Sequence, residues 1–200
     1  RYGYDSYGNV EYAYPVEAMA PTGENVQLQI DNTNGRENWA EVLNVKNKTI
    51  SLDVKIRDSN GVVKHQKTYN MGSHSVLHLN MSQYLGASRY GHSQFDANYA
   101  DSVVLHSMVY QRNQGRGSIE AVYSVPMKQA HVHSLNSSYN LYLEMDNWLR
   151  LTNNSSTSTE SYINVRLAQG FKQRSYVIGP FKTVKIALAD STSGGTQFNY

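Results

Sequence analysis

The sequence predicts an all-β protein built from two tandem, antiparallel, Ig-like β-sandwich modules. Three observations carry this prediction. Apolar and polar residues alternate in several short segments, turn signals separate those segments, and the chain repeats itself with a period of about 109 residues.

The internal repeat is the strongest of the three signals. Four pairs of segments carry it: residues 7–19 (YGNVEYAYPVEAM) with 116–128 (RGSIEAVYSVPMK), 37–44 (ENWAEVLN) with 146–153 (DNWLRLTN), 51–61 (SLDVKIRDSNG) with 160–170 (ESYINVRLAQG), and, after a two-residue deletion, 76–81 (VLHLNM) with 183–188 (TVKIAL). A register held over so much of the chain indicates two copies of one structural unit.

Eight segments show the period-2 alternation that is typical of half-buried strands. They are VQLQI (26–30), SLDVKI (51–56), SVLHLNM (75–81), SVVLHSMVY (102–110), SIEAVYSV (118–125), NLYLEM (140–145), YINVRL (162–167) and TVKIAL (183–188). Alternate side chains of a strand point to opposite faces, so each segment can bury one face in a core.

Turn signals lie between these segments, at residues 58–61, 112–117, 153–156 and 192–195. The pair Asn60-Gly61 is a strong hairpin signal, because both residue types tolerate positive φ. The expected domains are residues 1–20, as the C-terminal strand region of a preceding repeat, a complete repeat at 21–130, and a second repeat at 131–200 that lacks its last strands.

The chain begins in the second half of a hairpin. By the repeat, Arg1 corresponds to Tyr110 after the strand 102–110, and Tyr200 corresponds to Tyr99 before it. We expect a slice of a longer array; alternatively, an adjacent molecule supplies the missing pairing at the sheet edges.

Trp39 and Trp148 occupy equivalent positions of the repeat and are followed by alternating apolar residues. We expect both indoles to lie in the module cores, so that Trp148→Ala selectively melts the second module. The functional alternative is a tryptophan that stacks on a sugar.

Composition excludes several classes of function. The chain has no cysteine, which rules out disulfides, thiolate metal sites and cysteine nucleophiles. The net charge is only +2 and no Lys/Arg block is present, so we expect no nucleic-acid partner. No apolar run approaches the roughly 18 residues of a membrane span, so we expect no membrane insertion. A polar, Tyr-rich chain without thiols is typical of a bacterial extracellular or cell-surface protein.

The histidines and carboxylates do not form a recognisable chemical motif. His131 and His133 share a strand face, and His74 and His78 would share only a helix face, but no third ligand recurs near either pair. We therefore expect no metal and no other cofactor. No catalytic motif is present, so we expect no enzymatic activity.

Charged residues also recur in the repeat, as Glu11 with Glu120 and Arg57 with Arg166. Recurrent charges of this kind are interpreted as cross-strand pairs or as protection of a sheet edge.

A long connection at residues 83–101 combines tyrosine with Ser, Gly and Asn, which is the composition of adaptable recognition loops. We expect Tyr84, Tyr90 and His92 to face a ligand. Phe95 and Tyr99 recur in the segment TQFNY near the end of the chain and are interpreted as structural.

The motifs at 37–44 with 54–63 and at 146–153 with 163–170 resemble the tandem β-sandwich repeats of large bacterial surface and secreted proteins. The resemblance implies Ig-like folds and a stalk or adhesive role. The expected function is a non-catalytic structural or adhesive module whose partners are neighbouring repeats or copies of itself, through sheet edges, and surface glycans or proteins. Alternatives are a carbohydrate-binding accessory module of a secreted hydrolase, and a filament subunit that assembles by strand complementation.

Overall fold

The computed structural model describes residues 2–4, 7, 10–13, 20–23, 25–112, 119–125, 128–129, 147–167 and 170–189. These residues form antiparallel β-structure with two short 3-10 turns, Thr33–Gly35 and Ser82–Tyr84, so the predicted all-β class is confirmed. The chain divides into two compact units: unit 1 comprises Arg1–Asp58 and Val62–His131, and unit 2 comprises Ser59–Gly61 and Val132–Tyr200.

Eleven strands of unit 1 are described: β1 (Tyr2–Tyr4), β2 (Val10–Ala13), β3 (Val26–Asp31), β4 (Arg36–Asn44), β5 (Ile50–Asp58), β6 (Val63–Met71), β7 (Val76–Asn80), β8 (Tyr90–Ala97), β9 (Val103–Arg112), β10 (Ile119–Val125) and β11 (Lys128–Gln129). They form a four-stranded sheet in the order β10-β9-β4-β7, a five-stranded sheet in the order β11-β3-β8-β5-β6, and the pair β1-β2. The hairpin predicted at Asn60-Gly61 is confirmed, since β5 and β6 pair antiparallel and Gly61 has φ 84°.

Both large sheets of unit 1 contribute to one hydrophobic core. The five-stranded sheet supplies residues such as Ile30, Leu52 and Phe95, and the four-stranded sheet supplies residues such as Val42 and Leu105. These side chains alternate with more exposed ones along their strands, as the sequence pattern predicts.

Unit 2 contains four described strands: β12 (Asn147–Thr152), β13 (Thr159–Leu167), β14 (Gly170–Ile178) and β15 (Thr183–Ala189). β12 pairs with β15 and β13 pairs with β14, both antiparallel. Ile163, Val165 and Ile186 form its buried cluster. The predicted strand at 140–145, residues 113–117 of the turn predicted at 112–117, the predicted turn at 192–195 and the histidine pair 131 and 133 lie outside the described residues.

The strand registers of unit 2 match those of unit 1 at the positions that the sequence repeat equates. The pairs are Trp39↔Asn80 and Trp148↔Ala187, Leu43↔Val76 and Thr152↔Thr183, Ile50↔Met71 and Thr159↔Ile178, and Ile56↔His65 and Val165↔Lys172. β12, β13, β14 and β15 therefore pair as β4, β5, β6 and β7 do.

The recurrent glutamates lie at equivalent irregularities. In the pairing of β1 with β2 the register skips Glu11, and in the pairing of β9 with β10 it skips Glu120. An extra residue of this kind is a β-bulge, which bends a strand and increases its twist. Both glutamates thus lie at a β-bulge, which the interpretation of these residues as cross-strand pairs does not predict.

Among the described strands, β3, β5, β7, β9, β10, β13 and β15 overlap the alternating segments; β6 and β8 are two of those that do not. β8 lies inside the predicted long connection and pairs with β3 on one edge and with β5 on the other; its residues Gly91, His92 and Ser93 are all buried. β6 is an edge strand with mostly exposed side chains. Neither strand shows a simple alternation, so the period-2 criterion did not detect them.

The two tryptophans do not lie in the cores, and the prediction that they do is wrong. On β4 the buried residues that flank Trp39 are Asn38 and Ala40, so Trp39 points to the outer face and is half-buried there. Trp148 is 44% exposed. The expectation of a buried indole places the wrong face of the strand inward, since a shift of one residue exchanges the two faces of a strand.

Candidate functional site

Tyr84, Tyr90 and His92 lie on opposite sides of the five-stranded sheet. Tyr84 ends the 3-10 turn Ser82–Tyr84 and packs against the core of unit 1. Tyr90 and His92 share the face of β8 that points away from the core. The next residue, Ser93, points into the core, where its hydroxyl contacts the sulfur of Met81 at 3.2 Å, and Phe95 is buried on the same side as Ser93. The structure therefore does not unite the three predicted residues in one site.

His92 is fully buried, with 0% of its surface exposed, so it cannot face a ligand in this structure and that prediction is corrected. It pairs in register with Gln29 on β3 and Arg57 on β5. Burial first, and the Arg57 charge second, lower the pKa of His92 to about 4, with Asp58 opposing the shift. His92 is therefore neutral at neutral pH.

Arg57 is itself nearly buried, at 7% exposure, and its Nη1 donates to Gln94 Oε1 across to β8 at 3.3 Å. Burial lowers the pKa of Arg57, and Asp96 opposes this shift. Arg57 thus forms a cross-strand contact, as expected for the recurrent arginines; the side chain of Arg166 lies outside the described residues.

Tyr84 belongs to a group of three rings at the edge of unit 1, which we call the Tyr84 cluster: His65, Tyr69 and Tyr84. The His65 and Tyr84 rings stack with their centroids 4.0 Å apart and an interplanar angle of 19°. Nε2 of His65 lies 3.3 Å from the Tyr69 hydroxyl, and the Nζ of Lys67 lies 4.9 Å from the centre of the Tyr69 ring. All three rings are half-buried.

The electrostatics of the Tyr84 cluster favour neutral rings. Burial lowers the pKa of His65, and the Lys67 charge lowers it further. Burial raises the pKa of Tyr69, and its interaction and hydrogen bond with Tyr84 add to this. At neutral pH the rings of His65 and Tyr69 are therefore uncharged, and they offer hydrogen-bonding N and O atoms beside Lys67. Rings with polar tips are suited to binding ligands that have both apolar and hydroxyl surfaces.

A buried amide network holds the turn that carries Tyr84. Asn32 Nδ2 donates to the carbonyl oxygens of Ser82 (2.9 Å) and Gly86 (2.8 Å), and Ser82 Oγ donates to Asn32 Oδ1 (2.5 Å). The backbone N–H of Asn38 donates to Ser82 Oγ at 2.7 Å. The turn is thereby fixed to the ends of β3 and β4, which positions the Tyr84 ring.

Sequence reasoning missed His65 and Tyr69, because both lie on the edge strand β6. One signal could have found Tyr69: after the two-residue deletion it corresponds to Tyr176 in unit 2, which also packs against a buried cluster. An aromatic residue that recurs on an otherwise polar strand indicates that its side chain packs against the core in both units.

Asn44 is the last residue of β4 and is fully buried on its core face. Its Nδ2 lies within donating distance of three carbonyl oxygens, those of Lys48 (2.8 Å), Met71 (3.2 Å) and Gly72 (2.8 Å). Its Oδ1 accepts from the backbone N–H of Lys46 at 2.8 Å. One amide side chain thus connects the β4–β5 turn to the end of β6.

Asn153 makes the same contacts in unit 2. Its Nδ2 lies within donating distance of the carbonyl oxygens of Thr157 (2.7 Å), Ile178 (3.0 Å) and Gly179 (3.0 Å), and its Oδ1 accepts from the backbone N–H of Ser155 at 2.8 Å. Each partner is the repeat equivalent of a partner of Asn44. The two asparagines are structural anchors of equivalent turns.

Other candidate chemistry is sparse in the part of the chain that the structure describes. There, no three His, Asp or Glu side chains are grouped as a metal site. Nor does any described helix have the length and apolar character of a membrane span.

Comparison with known proteins finds no matching family model, no matching curated protein and no matching solved structure.

Proposed function

We propose that the chain is a non-catalytic structural or adhesive element of an extracellular or surface protein, built from tandem Ig-like β-sandwich modules. The observation that carries the proposal is that the same set of hydrogen bonds and strand pairings occurs in both units. Asn44 and Asn153 make equivalent hydrogen bonds, and the strands around them pair in equivalent registers.

Two further observations support the sandwich interpretation of unit 1. Its four-stranded and five-stranded sheets contribute side chains to one core, which is how two sheets pack face to face. The outer positions of the five-stranded sheet carry polar residues, among them the half-buried Gln27, Lys55 and Gln94, so its apolar side chains are concentrated on the face towards the core.

A structural role follows from the repetition. Modules that recur along a chain extend it, and each buries its own core, so the chain can separate a binding surface from its attachment point. Polar repeats without recognisable catalytic motifs are suited to this role.

Force spectroscopy of the chain held by both termini tests the proposal. We expect two separate unfolding events, one for each unit, because each has its own buried cluster. Asn44→Ala should lower the force of one event and Asn153→Ala the force of the other. A single event for the whole chain, or extension without a force peak, contradicts the proposal.

A second candidate function is carbohydrate binding through the Tyr84 cluster, favoured by its neutral stacked rings beside Lys67. Sugars bind proteins through stacking on aromatic rings together with hydrogen bonds. A glycan array tests this: binding that Tyr84→Ala abolishes supports it, with Tyr162→Ala as the control, since Tyr162 is 60% exposed and lies in unit 2. An array without any Tyr84-dependent signal excludes this candidate.

A further inference from the structure

The four-stranded sheet of unit 1 ends at β7, which pairs with β4 on one side and is the last strand in the order β10-β9-β4-β7. A backbone hydrogen bond at each end of β7 defines how the two strands pair. Asn44 N–H donates to Ser75 O at 3.0 Å, and Met81 N–H donates to Asn38 O at 2.9 Å. The register runs without a bulge between these two bonds.

These two bonds determine which backbone groups of β7 face outward. In an antiparallel pair, positions that bond to the neighbouring strand alternate with positions that do not. Leu77 and Leu79 therefore bond to β4, whereas Val76, His78 and Asn80 direct their N–H and C=O groups to the open side of β7. Among the residues that the structure describes, no backbone partner reaches these outward groups. Val76 is also 53% exposed.

Other edge strands have features that discourage pairing with another chain, such as lysines and bulges. β6 carries Lys64 and Lys67, and β10 carries Glu120 at its bulge. In unit 2, the equivalent strand β15 has Lys185 at the position of His78. β7 has neither a lysine nor a bulge, so its open edge lacks this protection.

We propose that β7 pairs antiparallel with β7 of a second copy of this chain, about a two-fold axis at His78. Val76 then lies opposite Asn80 of the second copy, and the two His78 residues lie opposite each other. Because all these positions direct N–H and C=O groups outward, each pair exchanges two hydrogen bonds. Two four-stranded sheets thereby become one continuous sheet. The proposal rests on the structural or adhesive role proposed above and names a partner for it.

The side chains at this axis are compatible with the pairing. Leu79 belongs to the core of unit 1 and Leu77 packs against it, so both point to the core side of the sheet. In the dimer, Leu77 lies opposite Leu79 of the second copy, which gives two aliphatic cross-strand pairs. On the outer face, His78 Nδ1 lies 3.4 Å from Glu41 Oε1. The two His78 rings thus lie between the two Glu41 carboxylates, and no two carboxylates face each other across the axis.

The proposed contact is small. The five residues of β7 take part on each side, fewer than the roughly 20–30 residues a side of a stable interface. We therefore expect a weak dimer in dilute solution. Association should be stronger where copies are held side by side on a surface, because attachment raises their effective concentration.

Sedimentation velocity and NMR of the intact chain test the proposal. As the protein concentration rises from micromolar to millimolar, we expect the mass to approach that of a dimer and to rise no further. In the dimer, the amide protons of Val76, His78 and Asn80 should exchange more slowly with solvent. Those of Leu77 and Leu79, which already bond to β4, should exchange as in the monomer.

Variants locate the interface. His78→Lys installs the residue of unit 2 and should abolish the dimer, because two lysines would face each other at the axis while each keeps Glu41 beside it. Gln66→Lys adds the same charge to the edge strand β6 and should dimerise as the parent chain does. Val76→Pro removes an outward N–H at the first residue of β7, where proline is tolerated, and should weaken the dimer by roughly tenfold. Urea midpoints separate loss of folding from loss of pairing.

A chain that stays monomeric at millimolar concentration overturns the proposal. So do association beyond the dimer, a folded His78→Lys chain that dimerises as the parent chain does, and slowed exchange in β6 instead of β7. None of these results bears on the two unfolding events that a single chain should show under force, so the proposal can fail while the proposed structural role stands.

Discussion

At the scale of single residues, the two anchoring asparagines show how one side chain can determine a turn. A buried backbone carbonyl needs a hydrogen-bond donor. Asn44 and Asn153 each place one amide against three carbonyl oxygens at the ends of paired strands and their turns. Asparagine is suited to this position because it offers two N–H donors and an acceptor from a short side chain.

Replacing either asparagine by alanine should destabilise its unit by roughly 2–4 kcal/mol, because a buried side chain that contacts three carbonyl oxygens and one backbone N–H is lost. Urea unfolding of Asn44→Ala and Asn153→Ala measures this. Asn70 is exposed on β6, and Asn70→Ala should stay within about 0.5 kcal/mol of the parent chain. An anchor variant as stable as the Asn70 variant shows that the amide contacts contribute little.

His92 makes the stability of unit 1 depend on pH. Its pKa is about 4 in the folded chain, against 6.5 for an ordinary histidine, so the unfolded state takes up the proton first as the pH falls. The contribution of neutral His92 to the free energy of unfolding is fully present above pH 6.5. It decreases as the pH falls from 6.5 to 4, and it decreases no further below pH 4. The total loss is roughly 3 kcal/mol.

Urea midpoints of the parent chain and of His92→Gln at pH 7, 5.5 and 4 check this behaviour. Comparison of the two chains cancels the contributions of the other histidines and of the carboxylates. We expect the difference in unfolding free energy to change by about 3 kcal/mol over this range. A difference that is independent of pH contradicts the assignment of His92 as a buried neutral residue.

At the scale of elements, β8 is central to unit 1 because it pairs with β3 on one edge and with β5 on the other. Its approach to β5 is close at Gly91: a Cβ placed there would lie 2.1 Å from the carbonyl oxygen of Arg57. Only glycine fits such a contact without movement of the backbone.

Gly91→Ala should therefore destabilise the chain by about 1–3 kcal/mol or more, since the added methyl meets backbone atoms that cannot rotate away. Gly72→Ala is the matched control, because a Cβ there meets nothing within 4 Å. Thermal unfolding of both variants measures the contrast. Equal melting temperatures would show that β5 and β8 can separate without cost at this point.

The outer faces of β4 and β12 should differ in exposure. Trp39 lies between Asn80 and Met108 in register, with a strand on each side, whereas β12 pairs with β15 alone among the described strands. Trp148 in the Trp39→Phe variant should be quenched by acrylamide more strongly than Trp39 in the Trp148→Phe variant. Stronger quenching of Trp39 would mean that the exposures are assigned to the wrong residues.

The elements also show what sequence reasoning can reach. β3, β5, β7, β9, β10, β13 and β15 overlap predicted strands, because each buries one face and alternates accordingly. β8 carries small and polar residues that are buried on both of its faces, and most side chains of β6 are exposed. Neither strand therefore alternates between apolar and polar residues. The faces of Trp39 and Trp148 were assigned wrongly, because alternation shows that two faces exist and an aromatic residue alone does not show which one is buried.

The candidate site was predictable only in part, for a related reason. Tyr84 lies in the predicted connection, but its partners His65 and Tyr69 come from β6, about 15 to 19 positions earlier in the chain. Side chains meet there because β6 and the turn Ser82–Tyr84 border the same core. Such a meeting is a property of the tertiary fold and leaves no local trace in the sequence.

At the scale of the whole molecule, equivalent strand registers and equivalent asparagine hydrogen bonds occur in both units at positions that the sequence alignment equates. The two-residue deletion inferred from the sequence agrees with the strand registers, since Ile56 pairs with His65 whereas the equivalent Val165 pairs with Lys172, two positions sooner along the chain. The same deletion equates Met71 and Gly72 with Ile178 and Gly179, the acceptors of the two anchoring asparagines. We infer that one architecture occurs twice, and that its surfaces differ while its anchors do not.

Hydrogen exchange of the intact chain, measured by mass spectrometry in the parent, Asn44→Ala and Asn153→Ala chains, tests this central claim most directly. We expect Asn153→Ala to speed exchange in β12 to β15 and to leave β4, β5, β8 and β9 protected, and Asn44→Ala to do the reverse. Loss of protection in both units from either substitution, or in neither from both, would contradict the claim that the same anchored module is built twice.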